Sequence, residues 1–176
     1  MAQSALIVRV PEAEAWVGSL RDRFDPSAGQ GVPAHITVLY PFMPPELLSG
    51  QVLGGIRQAL LPIAPFDFQL ARVGRFPATT YLAPDPVAPF MELTRRLVGH
   101  FPGYLPYAGE HEEVVPHLTV AHGNAAEAAK AEVELCAALA GRGPICSTCR
   151  EVVLLENSRG RWRAMQAFAL SADVAG

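Results

Sequence analysis

The chain has 176 residues, of which 50% are apolar and 18% charged, with a net charge of −3. This composition excludes a disordered polymer and fits one domain or two small lobes. It also excludes a broad, sequence-independent grip on duplex nucleic acid, which needs a basic face to release counterions. All the basic residues are arginine except Lys130, which sits in the helical surface phrase "AAEAAKAEVE" and is a poor nucleotidyl nucleophile.

The opening "MAQSALIVRV" has no basic n-region and carries Arg9 inside its apolar run, so no signal peptide is expected. No apolar run approaches the ~18 residues of a membrane span. The three cysteines suit a reducing compartment, and a cytoplasmic monomer is the expectation.

In chain order, "SALIVRV" (4–10) reads as a buried strand, and 12–24 as a helix entered through Pro11. A Gly/Pro/Ser loop follows, then the β-branched strand "HITVLY" (35–40). The stretch 44–61 reads as one helix containing several glycines. Residues 66–76 and 79–83 form a strand pair across a Pro-containing turn, and 87–101 an amphipathic helix. A long Pro/Gly loop with a small acidic cluster spans 102–116. It leads into "HLTVAHG" and then a helix with Asn124 as its cap and Gly141 as its stop. "ICSTCREVVLLEN" and "RWRAMQAFALSA" read as a closing hairpin around "SRG".

The two halves match: proline, His-apolar-Thr-Val strand, helix, strand, turn, strand. The repeat units run roughly over 33–83 and 115–172, within a single bilobed domain over 1–176. The expected fold is α+β, with two pseudo-symmetric lobes around a central cleft, each an antiparallel sheet with flanking helices.

Alternation along a strand puts His35 and Thr37 on one face, with Ile36 and Val38 on the other. In the same way His117 and Thr119 oppose Leu118 and Val120. Two imidazoles and two hydroxyls suit the opening of a cyclic phosphodiester. One ring takes the proton of the attacking water, the other protonates the leaving ribose oxygen, and the hydroxyls hold the non-bridging oxygens. This scheme requires neither a metal nor a cofactor.

"HITVLYPF", "VGRFPATTYLAP" and "PHLTVAHG" together resemble the 2H phosphoesterase superfamily, in its bacterial 2′-5′ RNA ligase branch. The resemblance covers about 4–171, and its specific part is the paired motif. It implies a bilobed fold and metal-independent 2′,3′-cyclic phosphodiesterase activity, with reversible ATP-independent 2′-5′ ligation in some members. It further implies His35 and His117 as the acid/base pair and Thr37 and Thr119 as phosphate holders. The substrates implied are RNA ends or small cyclic nucleotides. The chain departs from the pattern at His122, where several members of the family have arginine.

Phe42, Tyr81 and Tyr107 are candidates to stack on a base, and Arg75 to reach a phosphate. His100 and His111 read as surface residues. A zinc site is disfavoured because the motifs supply two ligands, and the two thiols of "CSTC" on a strand point to opposite faces. The alternative function is a non-catalytic protein that binds RNA ends or nucleotides in the same cleft.

Overall fold

The structure is a computed structural model that describes residues 1–171. Its strands are β1 (Ser4–Arg9), β2 (His35–Leu39), β3 (Phe66–Phe76), β4 (Thr79–Asp85), β5 (Leu118–His122), β6 (Ile145–Cys149), β7 (Glu151–Glu156) and β8 (Arg163–Ala169). Its helices are α1 (Glu14–Phe24), α2 (Pro26–Gly29), α3 (Gly50–Leu60), α4 (Ala88–His100) and α5 (Ala125–Arg142). The strands form one antiparallel sheet in the order β6-β3-β4-β5-β2-β1-β7-β8. The α+β class expected from the sequence is the class observed.

The two histidine strands lie side by side at the centre, joined through Ile36 and Leu118. The hairpin β3–β4 follows β2 in sequence, yet it pairs with β5. The hairpin β7–β8 follows β5, yet it reaches β2 through β1. Each histidine strand is therefore flanked by the hairpin that its counterpart precedes.

Several element boundaries correct the sequence reading. The helix expected over 44–61 is split into a 3-10 turn at Pro45–Leu47 and α3, because Ser49 turns extended and its Oγ accepts from the Val52 amide. Asn124 caps α5 through the Ala126 and Glu127 amides, as expected. Gly141 does not stop that helix; the chain leaves it at Gly143, with φ 82°.

The stretch 145–157 is two strands, not one. Arg150 separates β6, which edges the sheet beside β3, from β7, which pairs with β1 in the other half. One residue joins the first and seventh strands of the sheet order, so the sheet must curl until they converge at that end. The strand expected over 161–172 ends at Ala169, and residue 172, with the rest of the expected domain to 176, lies outside the described residues.

The longer helices α1, α3, α4 and α5 cover one face. Leu6, Val8, Ile36, Val38, Leu118 and Val120 point into the core beneath them, beside Leu20, Leu60, Leu93, Leu97 and Leu135. β1 is buried almost throughout because its other face is covered too, where Ala5 and Ile7 meet Val32, Val153 and Leu155. That second face carries the cavity.

Candidate active site

A cavity of about 750 Å³ opens on this second face, and His35, Thr37, His117 and Thr119 all line it. Alternation alone accounts for the quartet: the apolar residues between them are drawn into the core, which turns all four polar side chains the opposite way.

The two imidazoles are held identically. His35 Nδ1 lies 2.8 Å from the carbonyl oxygen of Pro33, and His117 Nδ1 lies 2.6 Å from that of Val115. A carbonyl only accepts, so each Nδ1 carries the proton and each Nε2 is left to the cavity. The matching element is thus the carbonyl two residues upstream. The prolines stand at different offsets, Pro33 two before its histidine and Pro116 one before.

Burial in the concave wall lowers both histidine pKa values. His35 is pushed down to about 4, mainly by desolvation, with its bond to Pro33 working the other way. A charge on His117 would lower it further, which shows the two rings to be electrostatic neighbours. His117 is lowered by desolvation as well, against the bond to Val115.

Both strands carry the same irregularity. Leu6 and Ile7 pair with Leu39 and Thr37, so Val38 is an extra residue. Thr80 and Tyr81 pair with Ala121 and Thr119, so Val120 is an extra residue. A bulge shifts alternation by one position. It carries Tyr40 and His122, each five residues after its histidine, onto the cavity face. Neither placement follows from simple alternation. His122 Nδ1 lies 2.8 Å from the hydroxyl of Thr79, itself a cavity residue, and the Tyr40 hydroxyl donates to Gln3 Oε1.

Of the proposed substrate contacts, Tyr107 lines the cavity, held there by a backbone bond from its amide to the Tyr40 carbonyl. Phe42 does not: it is buried in the core against Phe101 and Tyr104. Arg75 points to the helix side, where Nη1 bonds Glu132 at 2.7 Å. Tyr81 packs against the His117 ring at 5.3 Å and Phe76 at 4.6 Å, so it supports His117, and of Tyr81 and Phe76 it is Phe76 that lines the cavity.

Sequence reasoning missed several lining residues. Asp25 and Ser27, at the cap and first turn of α2, and Trp162, in the loop before β8, approach the site only in the folded chain. His111, read as surface, is exposed but stands at the rim; His100 is exposed and does not line the cavity. Asp25 is buried and ion-paired with Arg21 at 3.0 Å, and Arg21 also donates to Ser27 and to the Val32 carbonyl. Among the described residues no group of three or more His, Cys, Asp or Glu is placed to hold a metal. In "CSTC", Cys146 is exposed and Cys149 buried, the latter with its thiol pushed up to about 12 by burial. No described helix is long and apolar enough to cross a membrane.

Residues 10–161 match the family model of the 2′-5′ RNA ligase superfamily. The chain belongs to that superfamily. Among solved structures it is similar to TT0787 of Thermus thermophilus, with 21% identity and a TM-score of 0.62 over 96% of this chain and 97% of that one. It is also similar to E. coli LigT complexed with 3′-AMP, with 17% identity and a TM-score of 0.60 over 96% and 98%. A structure described as a phosphoesterase matches with 17% identity and a TM-score of 0.58 over 97% and 99%. At these identities the likeness establishes the fold. No curated protein matches the chain significantly.

Proposed function

We propose that this superfamily member hydrolyses 2′,3′-cyclic phosphodiesters, at RNA ends or on small nucleotides, by acid–base catalysis between His35 and His117. The observation that carries this reading is the matched tautomer of the two rings, each presenting Nε2 to one cavity beside a threonine. LigT, complexed in separate structures with 3′-AMP and with phosphate, adds support for a nucleotide phosphate as ligand.

In this mechanism His35, neutral down to about pH 4, is the base. Its Nε2 takes a proton from water as the water oxygen bonds phosphorus. The bond from phosphorus to one ribose oxygen breaks, and Nε2–H of a protonated His117 gives that oxygen its proton. The product is a phosphomonoester. The phosphate anion beside His117 favours its charged form against the desolvation that lowers it. Thr37 and Thr119 donate to the non-bridging oxygens, where charge concentrates. With a ribose 5′-hydroxyl in place of water as the attacking group, the same displacement would give ATP-independent ligation, and its reversal would cleave the new linkage. The protein would act in this way as a cytoplasmic monomer.

Incubation with the four nucleoside 2′,3′-cyclic monophosphates, with and without EDTA, tests this reading. Conversion to a single phosphomonoester isomer, unaffected by chelator, is the expected result. Nucleotide binding without turnover would instead favour the binding protein, and loss of activity in EDTA reversed by a divalent metal would overturn the mechanism.

A further inference from the structure

We propose that the cavity is a charge filter, accepting a ligand with one phosphate and rejecting one that carries a second, so that the substrate is a small cyclic mononucleotide rather than a tract of RNA. This inference rests on the reading that the cavity takes a phosphodiester, and it deepens that reading by naming the substrate class.

The first ground is the kind of cation available. Among the described residues lining the cavity there is no lysine and no arginine. All the basic residues of the chain lie within the described part, so none is overlooked. Of the arginines bonded to residues beside the wall, Arg21 is buried and spends its guanidinium on Asp25, Ser27 and the Val32 carbonyl, and the exposed Arg161 donates to the Gly29 carbonyl. Positive charge in the cavity therefore resides only in histidines, of which His35 and His117 are the pair assigned to the reacting phosphate and His111 stands at the rim. A run of phosphates would need fixed cations along its path.

The second ground is the anionic wall. Glu113 lines the cavity as an exposed carboxylate, whereas the charge of Asp25, which also lines it, is met by Arg21 at 3.0 Å. Glu113 and His111 line the cavity from the exposed stretch Glu110-His111-Glu112-Glu113, which brings two further glutamates beside the rim in sequence. Like charges at this range repel, most strongly at low ionic strength.

The third ground is the donor supply. Thr37, Thr119 and the Thr79–His122 pair provide hydrogen-bond donors for one phosphate group. Beyond them the wall holds the apolar Ile7, Val32 and Leu155, the ring of Trp162 and few polar groups, since the Tyr40 and Ser27 hydroxyls donate to Gln3 and Asp25. A second phosphate pressed against the apolar part of that wall would lose water with few partners to replace it, which disfavours it. A nucleoside, with a flat base and a neutral sugar, suits the same wall.

The test compares binding of cytidine 2′-monophosphate and cytidine 2′,5′-bisphosphate by calorimetry at low ionic strength. It is run on the intact protein and on the E110Q/E112Q/E113Q variant, whose changes are at exposed positions. The monophosphate should bind at least about tenfold more tightly to the intact protein, and the variant should narrow that gap by about threefold or more. Added salt should narrow it as well. Equal or tighter binding of the bisphosphate, a gap untouched by the triple substitution, or no binding of either nucleotide would overturn the proposal. Turnover of cytidine 2′,3′-cyclic monophosphate, assayed separately, decides the hydrolytic reading, so the two can fail independently.

Discussion

The ring of Tyr81 lies flat over Gly74, its partner across the β3–β4 pair: a Cβ at position 74 would overlap the ring carbons and the hydroxyl. The same ring packs on His117 at 5.3 Å. Gly74 thus sets the height of the tyrosine, and the tyrosine supports the histidine. Gly74→Ala should displace the ring and cost about 1–3 kcal/mol of stability, the usual scale of overpacking. Turnover should fall further than the loss of folded protein explains. In a double-mutant cycle with Tyr81→Ala the two effects should be less than additive, because both act on one contact. Full additivity in thermal unfolding and in kcat/KM would refute the coupling.

Replacement of His35 or His117 by alanine should lower turnover by roughly 10²–10⁴-fold, the scale of losing a positioned acid or base. The double variant should lose less than the product of the two. Thr37→Ala and Thr119→Ala should each cost less than either histidine change, since one neutral donor is lost while both proton transfers remain. The rate should follow a bell-shaped pH profile, its alkaline limb set by loss of the His117 proton. Folded single variants with near-complete cyclic nucleotide hydrolysis would sink the acid/base assignment.

The histidines also govern stability in acid. In the folded protein His35 stays neutral down to about pH 4, whereas its ordinary value is 6.5. Between those values the unfolded chain binds the extra proton, so stability should fall as pH drops from about 6.5 to about 4, and should not depend on this group above that window. His117, lowered by burial, acts in the same direction. Glu156 marks a second window. Burial opposes its charge, but bonds from Ser158 and Arg163 prevail and hold it at about 2 against an ordinary 4.5. Its contribution is present above pH 4.5 and lost as pH falls toward 2. Urea midpoints at about pH 7, 5 and 3.5 would trace both, and His35→Gln should flatten the first slope. A midpoint unchanged between about pH 7 and 5 would contradict it.

Arg21 and Asp25 form a buried ion pair at the cavity wall. Arg21→Met should strand the Asp25 carboxylate and cost about 3–5 kcal/mol, the usual result of removing one partner. Asp25→Asn in the same chain should recover part of that loss, because the stranded charge is gone. Thermal unfolding of both variants beside the parent checks this, and a double variant no more stable than Arg21→Met alone would count against it.

What the sequence determined by itself was local. Alternation is a property of a single strand, so "HITV" and "HLTV" already place His35 with Thr37 and His117 with Thr119, and the duplication ties the two together. Helix and strand periods, and the Asn124 cap, are local in the same sense. The bulges after Thr37 and Thr119 were not legible, because Val38-Leu39 and Val120-Ala121 are apolar pairs that read alike whether or not the alternation slips. Only the folded sheet shows that Tyr40 and His122 turn inward. The split at Arg150, the exchange of hairpins between the histidine strands, and the arrival of Asp25, Trp162 and Glu113 at one cavity were decided by long-range pairing. Such contacts depend on which strand edges and loops the curled sheet brings together, and no window of the chain contains both partners.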